Sequence, residues 1–408
     1  MSLTRRTMLA TAAAATALPL RRGRAEQPGL KIGVLNDMSG VYRDDGGMTG
    51  VICARQALED FGVSGKGMNV EVVFADHQNK PDVGVAIARQ WFDRDGVDVI
   101  VDVPTSSVAL AVNTVCREKN KVYLNSGGGT SELTGSQCSP NLVHWTYDTY
   151  MLAQTTGGEM VKRGGDTWFM VTADYAFGQV LQRDATRVIE AGGGKVLGSI
   201  AYPFPDTTDF SSMLVRAQAS GAKVLGLCNA GGDTINCIKQ AREFGLMDTM
   251  KVAALLIQST NIHALGLDTA QGLILTQAFY WDLNDRTRSF MQRIKPKTPT
   301  IYPNMTQAGD YAATLHYLKA VADMGIAAAK ADGRAVVARM KAMPTDDDCF
   351  GAGRIREDGR HIHDVHLFEA KKPSESKGEF DLLKLLATTP AERAFRPIDQ
   401  GGCPLVKV

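Results

Sequence analysis

From Leu30 onward, short apolar runs alternate with amphipathic segments of helical length, and the alternation runs through the chain twice. "LKIGVL", "VEVVFAD", "VDVIVDV" and "KVYLN" read as strands. Between them lie "MTGVICARQALEDFG", "DVGVAIARQWFDRDG" and "SVALAVNTVCREK", which read as helices. In the first of these, Val51, Ala54, Leu58 and Phe61 recur on one helical face. "VDVIVDV" is apolar on both faces, as a strand between two helix layers must be. Strand–helix–strand alternation dictates parallel pairing and right-handed crossovers.

The pattern restarts with the helix "MLAQTTGGEMVKRGG" and the buried strand "TWFMVT". "GQVLQRDATRVIEAGGG" is a helix stopped by glycines. "KVLGSI", "KVLGLCN", "KVAALLI" and "GLILTQ" are further strands, separated by the helices "DFSSMLVRAQASGA" and "DTINCIKQAREFGL". The expected fold class is therefore α/β, with two doubly wound parallel sheets in series over about residues 28–147 and 148–277. The last third departs from the pattern. "QAGDYAATLHYLKAVADMGI" reads as a long amphipathic helix, "GRAVVARMKAM" as a shorter one, and "FGAGRIREDGRHIHDVHLFEAK" as a β-hairpin turning at "EDGR". These elements are expected to complete the two sheets rather than form a third domain.

The chain begins differently. Arg5-Arg6, an Ala-rich apolar run from Met8 to Leu20 and then "RRGRA" have the layout of a signal peptide with a twin-arginine start, spanning residues 1–25. Its removal takes five arginines and no acids, leaving 40 basic residues against 44 acidic and a formal charge of −4. Nothing in that balance points to nucleic acid. Export makes the cysteines informative. There are seven, an odd number that leaves at least one unpaired. The pairings expected are Cys116–Cys138, stapling a helix to the loop beyond a glycine run, and Cys349–Cys403, tying the C-terminal tail to the body.

Catalytic motifs fail one by one. "GGGTSEL" has no P-loop Lys, and the first βα turn, "NDMSGVYRDDGG", lacks GxGxxG spacing. GxSxG and HExxH are absent. His361 and His363 share one face of a strand and His366 points to the other, the pattern of a polar strand rather than a metal site. No cofactor and no metal are expected. What recurs instead is a polar loop after a strand. "DVPTSSVAL" puts Thr105, Ser106 and Ser107 at a helix start, and "NSGGGT" does the same with Ser126, Gly127, Gly128, Gly129 and Thr130. Hydroxyls beside free N–H groups at a helix N-terminus suit a carboxylate. In the second unit, "ADYAFG" offers Asp174, Tyr175 and Phe177.

These stretches, with "LKIGVLNDMSGVYRDDGGMTGVICARQALEDFG", "VTADYAFGQVL" and "DFSSMLVRAQASGAKVL", resemble type I periplasmic solute-binding proteins, the branched-chain amino-acid receptor family that feeds ABC importers. The resemblance spans roughly residues 30–370. It implies two lobes joined by three crossovers near residues 147, 278 and 357. One lobe would comprise 28–147 plus 278–357 and the other 148–277 plus 358–408, closing on ligand by a hinge motion. It implies a periplasmic, non-enzymatic monomer that presents a small molecule to membrane permease subunits. Thr105, Ser106, Ser126, Gly128 and Thr130 fall where the family holds an α-carboxylate, and Tyr175 or Phe177 where an aromatic side chain packs on the ligand. The family's acid for the ligand ammonium lies beyond "KVAALLI", where this chain reads Leu255-Leu256-Ile257-Gln258. A buried ammonium without an anionic partner costs several kcal/mol. With Tyr42, Tyr280 and Trp281 as further aromatic walls, the expected ligand is an aromatic carboxylate. An aliphatic amino acid or amide is the alternative within the family; a secreted α/β hydrolase or oxidoreductase is the alternative outside it.

Overall fold

The computed structural model describes residues 29–407; the signal-peptide segment lies outside the described residues. The first sheet has the order β2-β1-β3-β4-β5 and is parallel throughout. Its strands are β1 (Leu30–Asn36), β2 (Val70–Asp76), β3 (Val99–Asp102), β4 (Val122–Asn125) and β5 (Leu142–His144). The second, also parallel, has the order β7-β6-β8-β9, from β6 (Thr167–Ala173), β7 (Lys195–Tyr202), β8 (Val224–Cys228) and β9 (Lys251–Ala254). β3, β4 and β8 are buried at every residue, whereas the edge strand β7 alternates exposed with half-buried residues along most of its length. That contrast is what helix layers on both faces of a sheet impose.

The crossover helices obey their sequence signals. Helix α1 (Gly47–Phe61) stops at Gly62, whose left-handed conformation returns its amide to the carbonyls of Leu58 and Glu59. Helix α2 is Pro81–Gln90, and α3 (Ser106–Lys119) ends on a left-handed Asn120. In the second lobe, α4 (Ala176–Ala191), α5 (Ser211–Ala219), α6 (Gly231–Glu243) and α7 (Ser259–Leu265) follow β6 to β9 in turn.

The last third completes both lobes. Strand β10 (Ile274–Gln277) leads to α8 (Asp285–Ile294) and then α9 (Met305–Met324). Helix α9 packs chiefly along α1 and is buried on nearly all faces, so it is not the amphipathic helix its sequence resembles. Asn304 caps it by accepting from the amides of Thr306 and Gln307, while Gln307 accepts from the Asn304 amide. After α10 (Gly333–Ala342) come β11 (Thr345–Asp347), β12 (Gly351–Ile355) and β13 (His361–Ile362), an antiparallel set turning at Arg356–Arg360. The expected long hairpin ends there. Past His363-Asp364 the chain leaves for β14 (Val365–Ala370), which pairs with β10 and β15 (Leu383–Thr389) on the second lobe. The split follows burial: Phe368 and Ala370 belong to the second lobe's core, whereas the His361 ring stacks on Trp145 of the first at 4.0 Å.

Beyond β15 the tail returns to the first lobe. Arg396 donates to the Ser131 carbonyl at 2.9 Å, and Cys403 is disulfide-bonded to Cys138. This corrects both expected pairings. Cys403 does tie the tail to the body, but through Cys138, and Cys116 and Cys349 are buried free thiols. Linear spacing carries no information on which of seven cysteines a returning tail will meet. Alkylation of the unfolded, unreduced protein should therefore label five cysteines, rising to seven after reduction. Cys403→Ser should cost about 2–4 kcal/mol of stability, read from denaturant titrations. Seven labelled cysteines without reduction would contradict the bridge.

Candidate ligand-binding cleft

The carboxyl ends of the two parallel sheets face each other, the place where open α/β sheets bind ligands. The loops after β1, β3 and β5 supply Tyr42 and Asp45, Pro104, and Tyr147. From the opposite lobe, the loops after β6, β8 and β9 supply Tyr175 and Phe177, Ala230, and Leu256. Thr306, at the start of α9, closes the ring, and the space left between these side chains is about 10 Å³, room for roughly one water molecule until the lobes part. Five helices begin at this pocket. Tyr175 and Ala230 are themselves N-cap residues, Asp45 and Pro104 precede the caps Gly46 and Thr105, and Thr306 follows the cap Asn304. Each N-terminus carries about half a positive charge. Among the described residues no Lys or Arg lines the pocket.

The lobes touch across the cleft through polar groups. Gly232 N–H donates to the Val41 carbonyl at 2.9 Å, and the hydroxyls of Tyr42 and Tyr175 meet at 2.6 Å. Asn261 Nδ2 donates to Asp45 Oδ1 at 3.0 Å, and Gln258 Nε2 to Thr306 Oγ1 at 2.8 Å. Phe204 stacks on Tyr175 at 4.2 Å and on Tyr42 at 5.6 Å, tying the aromatic walls into one cluster.

The residues singled out from sequence fall into three sets. Tyr42, Tyr175 and Phe177 line the pocket. Thr105, Ser106, Ser126, Gly127, Gly128, Gly129 and Thr130 form the layer behind Pro104 and Tyr147. Thr105 Oγ1 donates to Asn79 and Ser126 Oγ to Asp310, while Ser106 Oγ accepts the Thr130 amide at 3.1 Å. The Gly127 carbonyl accepts from Tyr147 Oη at 2.6 Å. Gly129 has no room for a Cβ, which would lie 2.8 Å from the Phe177 ring and 2.9 Å from that of Tyr147. Asp174 and Trp281 make up the third set, placed elsewhere. Asp174 is exposed and accepts from Gln179 at 2.9 Å, and Trp281 Nε1 donates to the Phe380 carbonyl at 2.8 Å, with its ring edge-on to Tyr302.

Sequence reasoning missed Asp45. At the position beyond β9 the pocket wall is indeed Leu256, but a carboxyl enters from the opposite lobe. Asp44 and Asp45 are adjacent and alike in sequence; only the fold exposes the first and buries the second. Burial pushes Asp45 up to about 7, with the Asn261 and Thr260 hydrogen bonds pulling the other way and the charges of Asp44 and Asp37 adding to the rise.

A second carboxyl cluster lies deeper. Asp102, at the end of β3, and Asp310, on α9, are buried neighbours. Burial raises both; the Asp102 charge raises Asp310 further, while hydrogen bonds from Asn36 and Asp310 pull Asp102 the other way. Asn36 Nδ2 donates to Asp102 at 2.9 Å. Asp102 and Val103 hold left-handed backbone, at φ 80° and 66°, unusual for non-glycine residues and most of all for a β-branched one. The kink turns the chain toward Pro104 and the cleft.

The family model for periplasmic binding proteins matches residues 29–379. The chain belongs to this family. A periplasmic binding protein from Burkholderia mallei is 47% identical, with TM-score 0.89, covering 93% of this chain and 99% of its own. A branched-chain amino acid ABC transporter periplasmic ligand-binding protein from Burkholderia xenovorans is 38% identical at TM-score 0.79, covering 92% and 99%. A solute-binding protein from R. palustris, solved in complex with benzoate, shares the fold at 20% identity and TM-score 0.80, covering 92% and 100%. Family membership makes this a periplasmic solute-binding protein of an ABC transporter, and its cleft a binding site rather than a catalytic one.

Two outcomes follow from the geometry. The folded chain keeps a proton on the Asp102–Asp310 pair that the unfolded chain releases above about pH 4. Stability should therefore fall as pH climbs from there through neutrality. Asp310→Asn, which still accepts from Ser126 and can donate to Asp102, should flatten the decline between pH 5 and 8 by roughly 1–2 kcal/mol in denaturant titrations. A slope equal to that of the unsubstituted protein would count against a shared proton. Second, a Cβ on Gly231 would meet the Val41 carbonyl and lie 2.7 Å from the Tyr42 ring. Gly231→Ala should hold the lobes apart, giving a larger radius of gyration in X-ray scattering than the parent.

Proposed function

We propose that this protein captures a small aromatic carboxylate for import. The observation that carries the reading is the pocket itself: rings of Tyr42, Tyr147, Tyr175 and Phe177 surround a space on which five helix N-termini converge, with no basic side chain in its wall. Aromatic walls favour a ring through offset or edge-to-face contacts. Converging N-termini favour an anion at no cost in side-chain desolvation. The carboxylate would lie toward the start of α3 and the Gly127–Gly129 loop, with Ser106, Ser126 and Thr130 as the nearby hydroxyls and Thr105 as the cap. Capture would be a hinge motion of the lobe of 28–147 plus 278–357, with β13 and the tail beyond β15 fastened to it rather than to the second lobe as first expected, against the lobe of 148–277 plus β14 and β15. The closed, monomeric form would be what permease subunits recognise, after export by the twin-arginine route through residues 1–25. Benzoate in the R. palustris relative is consistent with this reading.

An aliphatic amino acid is the second reading. Asp45 in the pocket wall favours it, and the Burkholderia xenovorans relative is a periplasmic ligand-binding protein of a branched-chain amino acid ABC transporter. The two separate in a thermal-shift screen of protein unfolded and refolded to strip any retained ligand. A true ligand at a hundredfold excess over Kd adds about 2.7 kcal/mol, a shift of several degrees. Benzoate-type acids should produce that shift, while leucine and valine should not. The reverse result would transfer the protein to the amino-acid class with its fold unchanged.

A further inference from the structure

The pocket's single carboxyl is held in an unusual way. Asp45 is 5% exposed and gripped by three elements. Its amide donates to the Tyr42 carbonyl at 3.0 Å, its own carbonyl accepts from Asn304 Nδ2 at 3.1 Å, and Oδ1 accepts from Asn261 Nδ2 at 3.0 Å, with Thr260 Oγ1 at 3.5 Å. A side chain so fixed cannot swing away to find water. Its second oxygen, Oδ2, accepts from no donor among the described residues and faces the first turn of α6, where a Cβ on Gly231 would lie 3.0 Å from it. Among the nearest hydroxyls, Tyr147 donates to Gly127, and Tyr42 and Tyr175 share one bond that leaves a single O–H between them unused. Oδ2 is thus an acceptor open to the pocket, where a ligand donor can take the place of water on a side chain already held by Asn261.

Resting on the aromatic-acid reading, we propose that Asp45 is the specificity-determining residue of the cleft and accepts a hydrogen bond from a ring hydroxyl, so that the ligand class is hydroxylated aromatic acids. A hydroxyl brings one donor and no charge, which matches one unfilled oxygen. An ammonium brings three donors and a positive charge into a pocket onto which the positive ends of five helices already point. A site built around such a donor rejects the analogue that lacks it far more strongly than an apolar pocket rejects a missing methylene. The titratable groups around Asp45 are Asp37 and Asp44 on its own segment, with Tyr147, Tyr175 and Asp233 on the elements packed against it. The two other acids disfavour its ionised form, and burial does so most. Accepting from a phenol stabilises that form, so binding of a hydroxylated acid should tighten as pH rises from 6 to 8.

The experiment is calorimetric titration of benzoate and 4-hydroxybenzoate into the refolded protein and its Asp45→Leu and Asp45→Asn variants. The parent should bind the hydroxylated acid at least tenfold more tightly, and Asp45→Leu should reduce that ratio to near one. Should Asp45→Leu not fold, Asp45→Asn retains the Asn261 contact and should abolish the pH dependence between 6 and 8. An unchanged ratio in Asp45→Leu, or an unchanged pH profile in Asp45→Asn, would overturn the assignment. Benzoate binding that weakens with rising pH only when Asp45 is present would also overturn it, because the carboxyl would then be donating to the ligand's carboxylate. Binding of leucine with neither aromatic acid bound would overturn both the ligand class and this role, whereas benzoate binding without a hydroxyl preference would overturn this role alone.

Discussion

Two carboxyl groups that do not reach water hold the foot of the cleft together. Asp102 ends β3, Asp310 lies on α9, and the proton they retain lets them sit side by side in the first lobe. The ends of β1, β3 and β4 are fastened here. Asn36, ending β1, donates both to Asp102 and to the Gly47 carbonyl at the start of α1. Ser126, beginning the glycine loop, donates to Asp310. A Cβ on Gly46 or Gly127 would press on the Asp102 carboxylate, so those glycines are the clearance that lets the loops approach. The left-handed turn at Asp102 and Val103 is a strained conformation that such anchoring can sustain.

What was legible in the sequence follows from how local each signal is. The parallel sheets and their helices were readable because alternation of apolar runs is a property of neighbouring residues. The hydroxyl and glycine loops were readable for the same reason. Their exact roles were not, because Thr105 and Ser126 are engaged by Asn79 and Asp310, residues distant in sequence. Helix α9 has polar residues in a helical pattern, yet Gln307, Asp310, Thr314 and His316 are all buried against the first lobe. Asp45 could not be told from Asp44, nor Cys138 from Cys116 as the partner of Cys403, since each choice is made by a contact between distant segments. Trp281 carried an aromatic signal that the fold uses elsewhere, against Tyr302 and the loop ending at Phe380.

The contacts between the lobes explain how the cleft can both close and reopen. The bonds from Gly232 to Val41, Tyr42 to Tyr175, Asn261 to Asp45 and Gln258 to Thr306 are hydrogen bonds, each of which water can replace when the lobes part. Exchanging such bonds for water costs only about 0.5–1.5 kcal/mol apiece. Apolar contact also crosses the cleft: Phe204 stacks on Tyr42 of the opposite lobe, and one hydrophobic cluster takes in side chains of both lobes, so parting them exposes apolar surface as well.

The bridge between Cys138 and Cys403 gives the molecule a covalent topology that its lobes alone do not reveal. The chain leaves the first lobe after β5, builds the second, and returns for the last time beyond β15, to be sealed onto the lobe it started from. All of the second lobe thus lies within a closed ring of 265 residues' separation. A single cut in any one of the connecting segments opens the ring without separating the halves. The moving lobe therefore remains tethered even when one of its hinge strands is severed.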